Sequence, residues 1–150
     1  IHNGTDAEID RATFSLGYGG GTYTRGTYQL SGTIPAGGCI VVGGATSDDT
    51  NGNPTFDLEQ DFNPDMQNSG DPADAVGLFN ILAADITPES VPIDAVVYGD
   101  ANTDGFVDSN GDVSAINVAD APAGQTIERI GPDQWQIQEA PTPNNCAVGN

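Results

Sequence analysis

Closely spaced turn signals constrain the fold of this chain more than any other feature. Twenty glycines and ten prolines interrupt its 150 residues, and no apolar segment keeps a helical period for more than a turn or two. Short segments rich in β-branched and aromatic residues lie between the turns. The predicted strands are residues 12–16, 22–30, 39–42, 75–80, 93–98, 125–130 and 134–138, and a glycine stretch at 17–21 is expected to break the first two apart. About seven short strands predict an antiparallel β-sandwich.

The charge balance excludes two classes of partner. The chain has 22 acidic residues, three arginines and no lysine, which gives a formal net charge of −19. A field of this sign repels nucleic-acid phosphates and anionic lipids, and no basic patch offsets it. The longest apolar runs have the length of a strand, far short of the roughly 18 residues of a membrane span. We therefore expect neither nucleic-acid binding nor membrane insertion.

The two cysteines, Cys39 and Cys146, are candidates for a disulfide. Their spacing fits neither a CxxC redox pair nor a zinc site, which needs more ligands. A disulfide closing so long a loop would stabilise the fold by about 4–5 kcal/mol in the chain-entropy model. We predict this disulfide, with two separate buried thiols as the alternative.

A series of short motifs runs through the second half of the chain. Asn-Ser-Gly-Asp at 68–71 leads into Val-Gly-Leu-Phe-Asn at 76–80, and Gly70 there can adopt the positive φ of a tight turn. Ile-Asp-Ala-Val-Val-Tyr-Gly at 93–99, Thr-Ile-Glu-Arg-Ile at 126–130 and Pro-Thr-Pro-Asn at 141–144 follow. The segments 76–80 and 93–98 are expected to pair as neighbouring strands.

In order and spacing these motifs resemble those of the lamin tail domain family, an immunoglobulin-like fold shared by nuclear lamins and many bacterial secreted proteins. The resemblance also covers Ile-His-Asn-Gly-Thr at 1–5, the Pro-Ala-Gly-Gly turn at 35–38 with the strand after it, and Phe-Asn at 62–63. It implies an all-β, immunoglobulin-like antiparallel β-sandwich with long polar loop insertions. The expected organisation is one domain over residues 1–150, without the family's first strand, which would precede Ile1.

The resemblance also implies a function and a location. It predicts a non-catalytic module, secreted or on a bacterial cell surface, that serves protein interaction, surface attachment or an accessory role. A protein or cell-surface component is the expected partner. A sheet edge left open by the missing strand could accept an added strand, and an edge-strand dimer is one form this could take. The oligomeric state and the partner's identity remain open.

The loop after residue 99 suggests a cation site. Its oxygen donors at calcium-loop positions 1, 3, 5 and 9 and its glycine at position 6 follow the pattern of such loops. Position 12 is a glycine and an acid comes one residue late, so a helix-loop-helix site is not expected. The candidate ligands are Asp100, Asn102, Asp104, the Phe106 carbonyl, Asp108 and Asp112. Calcium binding here is the alternative function, against a solvated acidic loop, and residues 48–53 form a second, weaker candidate.

Catalysis has little support in the sequence. His2 is the only histidine and lies near the first residue, and no serine lies in a nucleophile-elbow pattern. Paired carboxylates are abundant through composition alone, so a small acidic hydrolase is a third, weaker option. Such a site needs aromatic platforms, and Trp135, the single tryptophan, lies in an alternating strand that predicts a core position.

Overall fold

The structure of the chain, a computed structural model, describes residues 1–68 and 72–146. It is nearly all β, with 32% strand and 4% in helical turns, which confirms the predicted all-β class and is consistent with a sandwich. The strands in the described part are β1 (Ile9–Asp10), β2 (Ser15–Gly20), β3 (Gly26–Gln29), β4 (Thr33–Ile34), β5 (Val42–Gly43), β6 (Leu58–Glu59), β7 (Asp74–Phe79), β8 (Asp94–Tyr98), β9 (Thr126–Gly131) and β10 (Gln134–Gln138). Two 3-10 turns span Arg11–Thr13 and Ala83–Asp85.

The chain divides into two compact units. The first unit consists of Ile1–Arg11, Ser31–Phe62 and Ala121–Asn150, and the second consists of Ala12–Leu30 and Asn63–Asp120. The prediction of one domain over residues 1–150 stays a prediction. The turn motif at 68–71 lies outside the described residues from Ser69 to Asp71.

The second unit is built on an antiparallel sheet of four strands in the order β3-β2-β7-β8. The pairing of β7 with β8 confirms that the segments 76–80 and 93–98 are neighbours. Apolar residues on one side of this sheet form the core with side chains from the loops. Its buried members are Tyr23, Ala73, Ala75, Phe79, Ile86, Val97 and Phe106.

The prediction that the glycines at 17–21 break the chain was wrong, because β2 continues through them to Gly20. Gly17 lies opposite Gly77 in the register of β2 and β7. A Cβ on Gly17 would lie 2.6 Å from the Tyr23 carbonyl oxygen, and one on Gly77 would lie 2.9 Å from the Phe79 ring. The two glycines therefore leave the space in which the Tyr23 and Phe79 rings meet edge to face, 5.4 Å apart.

The first unit contains three small sheets of two strands each among the described residues. β1 pairs with β4 and β9 pairs with β10, both antiparallel, whereas β5 and β6 run parallel. The predicted strand at 39–42 was wrong for most of its length, because Cys39 forms only an isolated bridge with His2. The segment Pro64–Gln67 has no regular secondary structure.

Polar side chains and a disulfide hold this strand-poor unit together. Asn3 is 2% exposed, and its Nδ2 lies 2.8–3.1 Å from the backbone carbonyls of Ala7, Ile34 and Pro35. Cys39 and Cys146 form the predicted disulfide, with their Cα atoms 5.5 Å apart. In this unit, hydrogen bonds from a side chain to backbone carbonyls and the disulfide thus hold segments together that longer paired strands would otherwise hold.

Candidate functional site

The loop predicted to bind calcium is closed by a side-chain amide. Asn102 donates from Nδ2 to the carbonyl oxygens of Phe106 (2.9 Å) and Ser114 (2.8 Å), and its Oδ1 accepts from the Phe106 amide at 2.8 Å. The Phe106 carbonyl also accepts from the Ser114 amide. Two of the six predicted ligands, Asn102 and Phe106, therefore already serve in closing the loop, and the Phe106 ring belongs to the core.

The four carboxylates of the same loop are not gathered around one point. Asp100, Asp104 and Asp112 are exposed, and Asp108 is half-buried. The Asp108 carboxylate accepts from the amides of Asn110 (2.8 Å) and Asp112 (3.3 Å). Across residues 1–68 and 72–146 no group of three or more acidic, histidine or cysteine side chains is arranged to hold a metal ion. Calcium binding by this loop stays a prediction.

The second oxygen-rich loop, at residues 48–53, is a network of local turns. Asp48 accepts from the amide and the hydroxyl of Thr50, and these hydrogen bonds lower the pKa of the Asp48 carboxyl. Asn53 takes a positive φ of 52° and donates to the Asp49 carboxylate at 2.7 Å. Local hydrogen bonds of Asp and Asn side chains, such as that from the Thr50 amide to Asp48, are typical of ordinary turns.

A groove of about 510 Å³ lies in the first unit, within the volume range of ligand sites. One side consists of six consecutive residues, Gly124 to Arg129, which lead into and form most of β9. Successive residues of a strand point to opposite faces, so a cavity that touches the four consecutive strand residues Thr126 to Arg129 follows the edge of the strand. β10 occupies one edge of β9, and the groove therefore follows the other. We call this cavity the β9 groove.

The other walls of the β9 groove come from distant parts of the sequence. They are contributed by a loop and by the C-terminal tail, with Gln138 of β10 at the end of the groove. The residues are Thr50 and Asn51 in the loop, and Pro141, Thr142, Pro143 and Asn145 in the tail.

Three contacts fix these walls. Asn144 pairs with the backbone of Thr55 through two hydrogen bonds, Nδ2 to the carbonyl (3.0 Å) and the amide to Oδ1 (2.9 Å). Gly52 approaches Pro141 so closely that a Cβ there would lie 2.4 Å from the Pro141 carbonyl oxygen, and its φ is 76°. The disulfide then joins Cys146 to Cys39. The groove is therefore formed before a ligand arrives, which lowers the entropic cost of binding.

The lining of the β9 groove is mixed in polarity. Arg129 lies 5.6 Å from the centre of the Trp135 ring, and its Nε donates to the Gly131 carbonyl at 3.3 Å. The Glu128 carboxylate accepts from Gln136 at 2.9 Å. Gln125 is half-buried, and Ile127 adds apolar surface. Trp135 is itself half-buried, so its predicted core position was wrong.

The sequence does not predict this groove. Its lining combines part of the loop at 48–53, the motif at 126–130 and the proline-rich motif at 141–144, and nothing in the sequence indicates that these segments meet. Comparison with known proteins adds no assignment, because no family model, curated protein or solved structure matches the chain. The resemblance to lamin tail domains stays a prediction.

Proposed function

We propose that this chain is a non-catalytic binding module, secreted or exposed on a cell surface, that holds its ligand in the β9 groove. The observation that carries the proposal is the fixed geometry of this groove, whose tail wall is fastened by the disulfide and the Asn144–Thr55 pair. A disulfide is typical of secreted proteins. No helix among the described residues has the length and hydropathy to span a bilayer.

The polar side chains of the groove support binding. Hydroxyl and amide groups in the lining can donate and accept hydrogen bonds, and a charge of each sign lies on β9 at Glu128 and Arg129. Binding sites commonly combine a few such polar groups with apolar surface. Ile127 and the tail prolines provide that surface here.

The test is a binding screen with a matched pair of variants. The immobilised protein is panned against a phage library of random 12-residue peptides and, in parallel, against a glycan array. Gln125→Trp fills the groove, whereas Gln134→Trp places the same side chain at an exposed position outside the lining. We expect a ligand that binds the wild type and Gln134→Trp alike and loses at least tenfold in affinity with Gln125→Trp. No ligand in either screen, or equal binding by both variants, would overturn the proposal.

A further inference from the structure

The open edge of β9 defines what kind of ligand the groove can hold. Backbone N–H and C=O groups of a strand edge are strong hydrogen-bonding groups that another extended chain can satisfy. β10 is the strand paired with β9 in the described structure, and it covers one edge alone. The groove follows the second edge over four strand residues, Thr126 to Arg129, a length of about 13 Å at the usual rise per residue.

The walls of the groove offer contacts to the side chains of an added strand. The tail residues Pro141 and Pro143 and the loop residues Thr50 and Asn51 face this edge across the cavity. An extended peptide can pair its backbone with β9 and place alternate side chains toward these walls. This mode of recognition takes affinity from main-chain hydrogen bonds and specificity from the alternate side chains.

The charge of the protein limits the sequence of that peptide. A net charge of −19 disfavours a second copy of the chain as the occupant, since two such molecules repel each other. A basic peptide is attracted by the same field. Within the lining, Glu128 offers a carboxylate, while Arg129 lies over the Trp135 ring.

We infer that the ligand of the β9 groove is an extended, basic peptide segment of another protein, which adds a strand to the open edge of β9. This inference rests on the proposed function and narrows it to one ligand class and one binding mode.

The first part of the test reads the sequences selected from the peptide library. Peptides that depend on the groove, as judged by the Gln125→Trp and Gln134→Trp pair, are expected to be rich in Lys, Arg and β-branched residues and poor in Asp, Glu and Pro. Raising NaCl from 50 to 500 mM should weaken their binding severalfold through screening.

The second part tests backbone pairing directly. The tightest selected peptide is synthesised unmodified and with N-methyl groups on alternate residues, in both phases, so that each version lacks the donors of one edge. One N-methylated version should lose about 10- to 30-fold in affinity, as expected for two or so lost hydrogen bonds, and the other should bind nearly as the parent does. Hydrogen exchange of the β9 amides should slow in the complex.

Each other outcome overturns a defined part of the reasoning. Equal binding by both N-methylated versions, or selection of acidic peptides, would refute strand addition by a basic segment. Glycan binding without peptide binding would refute the inference and leave the proposed function standing. A concentration-dependent dimer that Gln125→Trp abolishes would name a second copy as the occupant and refute the inference. Failure of both screens would remove the proposed function with it.

Discussion

The disulfide between Cys39 and Cys146 should contribute a large share of the free energy of unfolding. It joins residues 107 positions apart, so cutting it releases a long loop in the unfolded chain. In the chain-entropy model a loop of this length corresponds to about 5 kcal/mol at 25 °C. The double variant Cys39→Ala/Cys146→Ala should therefore lose about that much of a total that is about 5–15 kcal/mol in a typical protein.

Urea unfolding measures this loss. Trp135 is the single tryptophan and is half-buried in the first unit, so its fluorescence reports on the unit that holds the disulfide. With a slope of about 2 kcal/mol per molar urea, the midpoint should fall by roughly 2.5 M. The wild type treated with a reductant should follow the double variant. Asn144→Ala is the control, since it removes the other anchor of the tail and should cost about 1 kcal/mol.

A small loss would refute this reasoning. If the double variant and the wild type unfold within about 0.5 M urea of each other, the unfolded chain is not governed by loop entropy. An unchanged midpoint together with lost ligand binding would show instead that the disulfide serves the groove alone. If the midpoint falls as far in Asn144→Ala as in the double cysteine variant, the stabilisation comes from the attachment of the tail and not from closing the 107-residue loop.

Three further predictions concern the second unit. Asn102→Ala should lower the melting temperature by several degrees, because it removes three hydrogen bonds of about 1 kcal/mol each. Adding 1 mM calcium should leave the melting temperature of the wild type unchanged. A rise with calcium would support the calcium alternative. Burial, reinforced by nearby carboxylates, raises the pKa of Tyr23 and Tyr98 above the ordinary value of 10.0. At a pH above 10 these phenols therefore stay protonated in the folded state but ionise in the unfolded state. The free energy of unfolding should be unaffected below pH 10 and should fall as the pH rises above 10. Tyrosinate absorbance at 295 nm should appear together with unfolding. Gly77→Ala should cost about 1–3 kcal/mol in urea unfolding, since its Cβ would press on the Phe79 and Tyr23 rings; unchanged stability would show that these rings can shift freely.

The strands that the sequence located well are those in which local preference and burial agree. The segments 75–80 and 93–98 are short apolar runs with β-branched and aromatic residues, and they form β7 and β8 within one residue at each end. The predicted strands at 125–130 and 134–138 likewise correspond to β9 and β10. In 134–138 polar and apolar residues alternate, and a shift by one residue would there turn Trp135 and Ile137 to the other face.

Local preference failed where packing overrides it. The glycine stretch at 17–21 predicted a chain break, but Gly17 lies within a strand because the aromatic rings of Tyr23 and Phe79 need the space that a side chain would fill. Such a requirement exists only in three dimensions. The calcium-loop pattern likewise does not show that the Asn102 oxygen accepts from the Phe106 amide, a contact that only the folded loop reveals.

The β9 groove could not have been predicted, because no segment of the sequence contains it. Its three walls come together through the disulfide, the Asn144–Thr55 pair and the close approach of Gly52 to Pro141. Each is a contact between residues far apart in sequence. A motif search treats these segments separately, and the spacing of the cysteines does not reveal which loop their bond will hold beside β9.

The location of the groove also bears on how a ligand would act on the protein. Among the described residues of the first unit, all strands outside the β9–β10 hairpin have two residues, and such a region has few backbone ladders to resist local opening. A ligand that binds only the closed groove stabilises that closed state by mass action, by about 2.7 kcal/mol at a concentration 100 times its dissociation constant. An added strand would also give the hairpin a third strand, and three strands form a far more stable sheet than two. Strand addition at β9 therefore predicts slower hydrogen exchange throughout the hairpin, including β10, whereas a ligand that contacts side chains alone would protect only the residues that it touches.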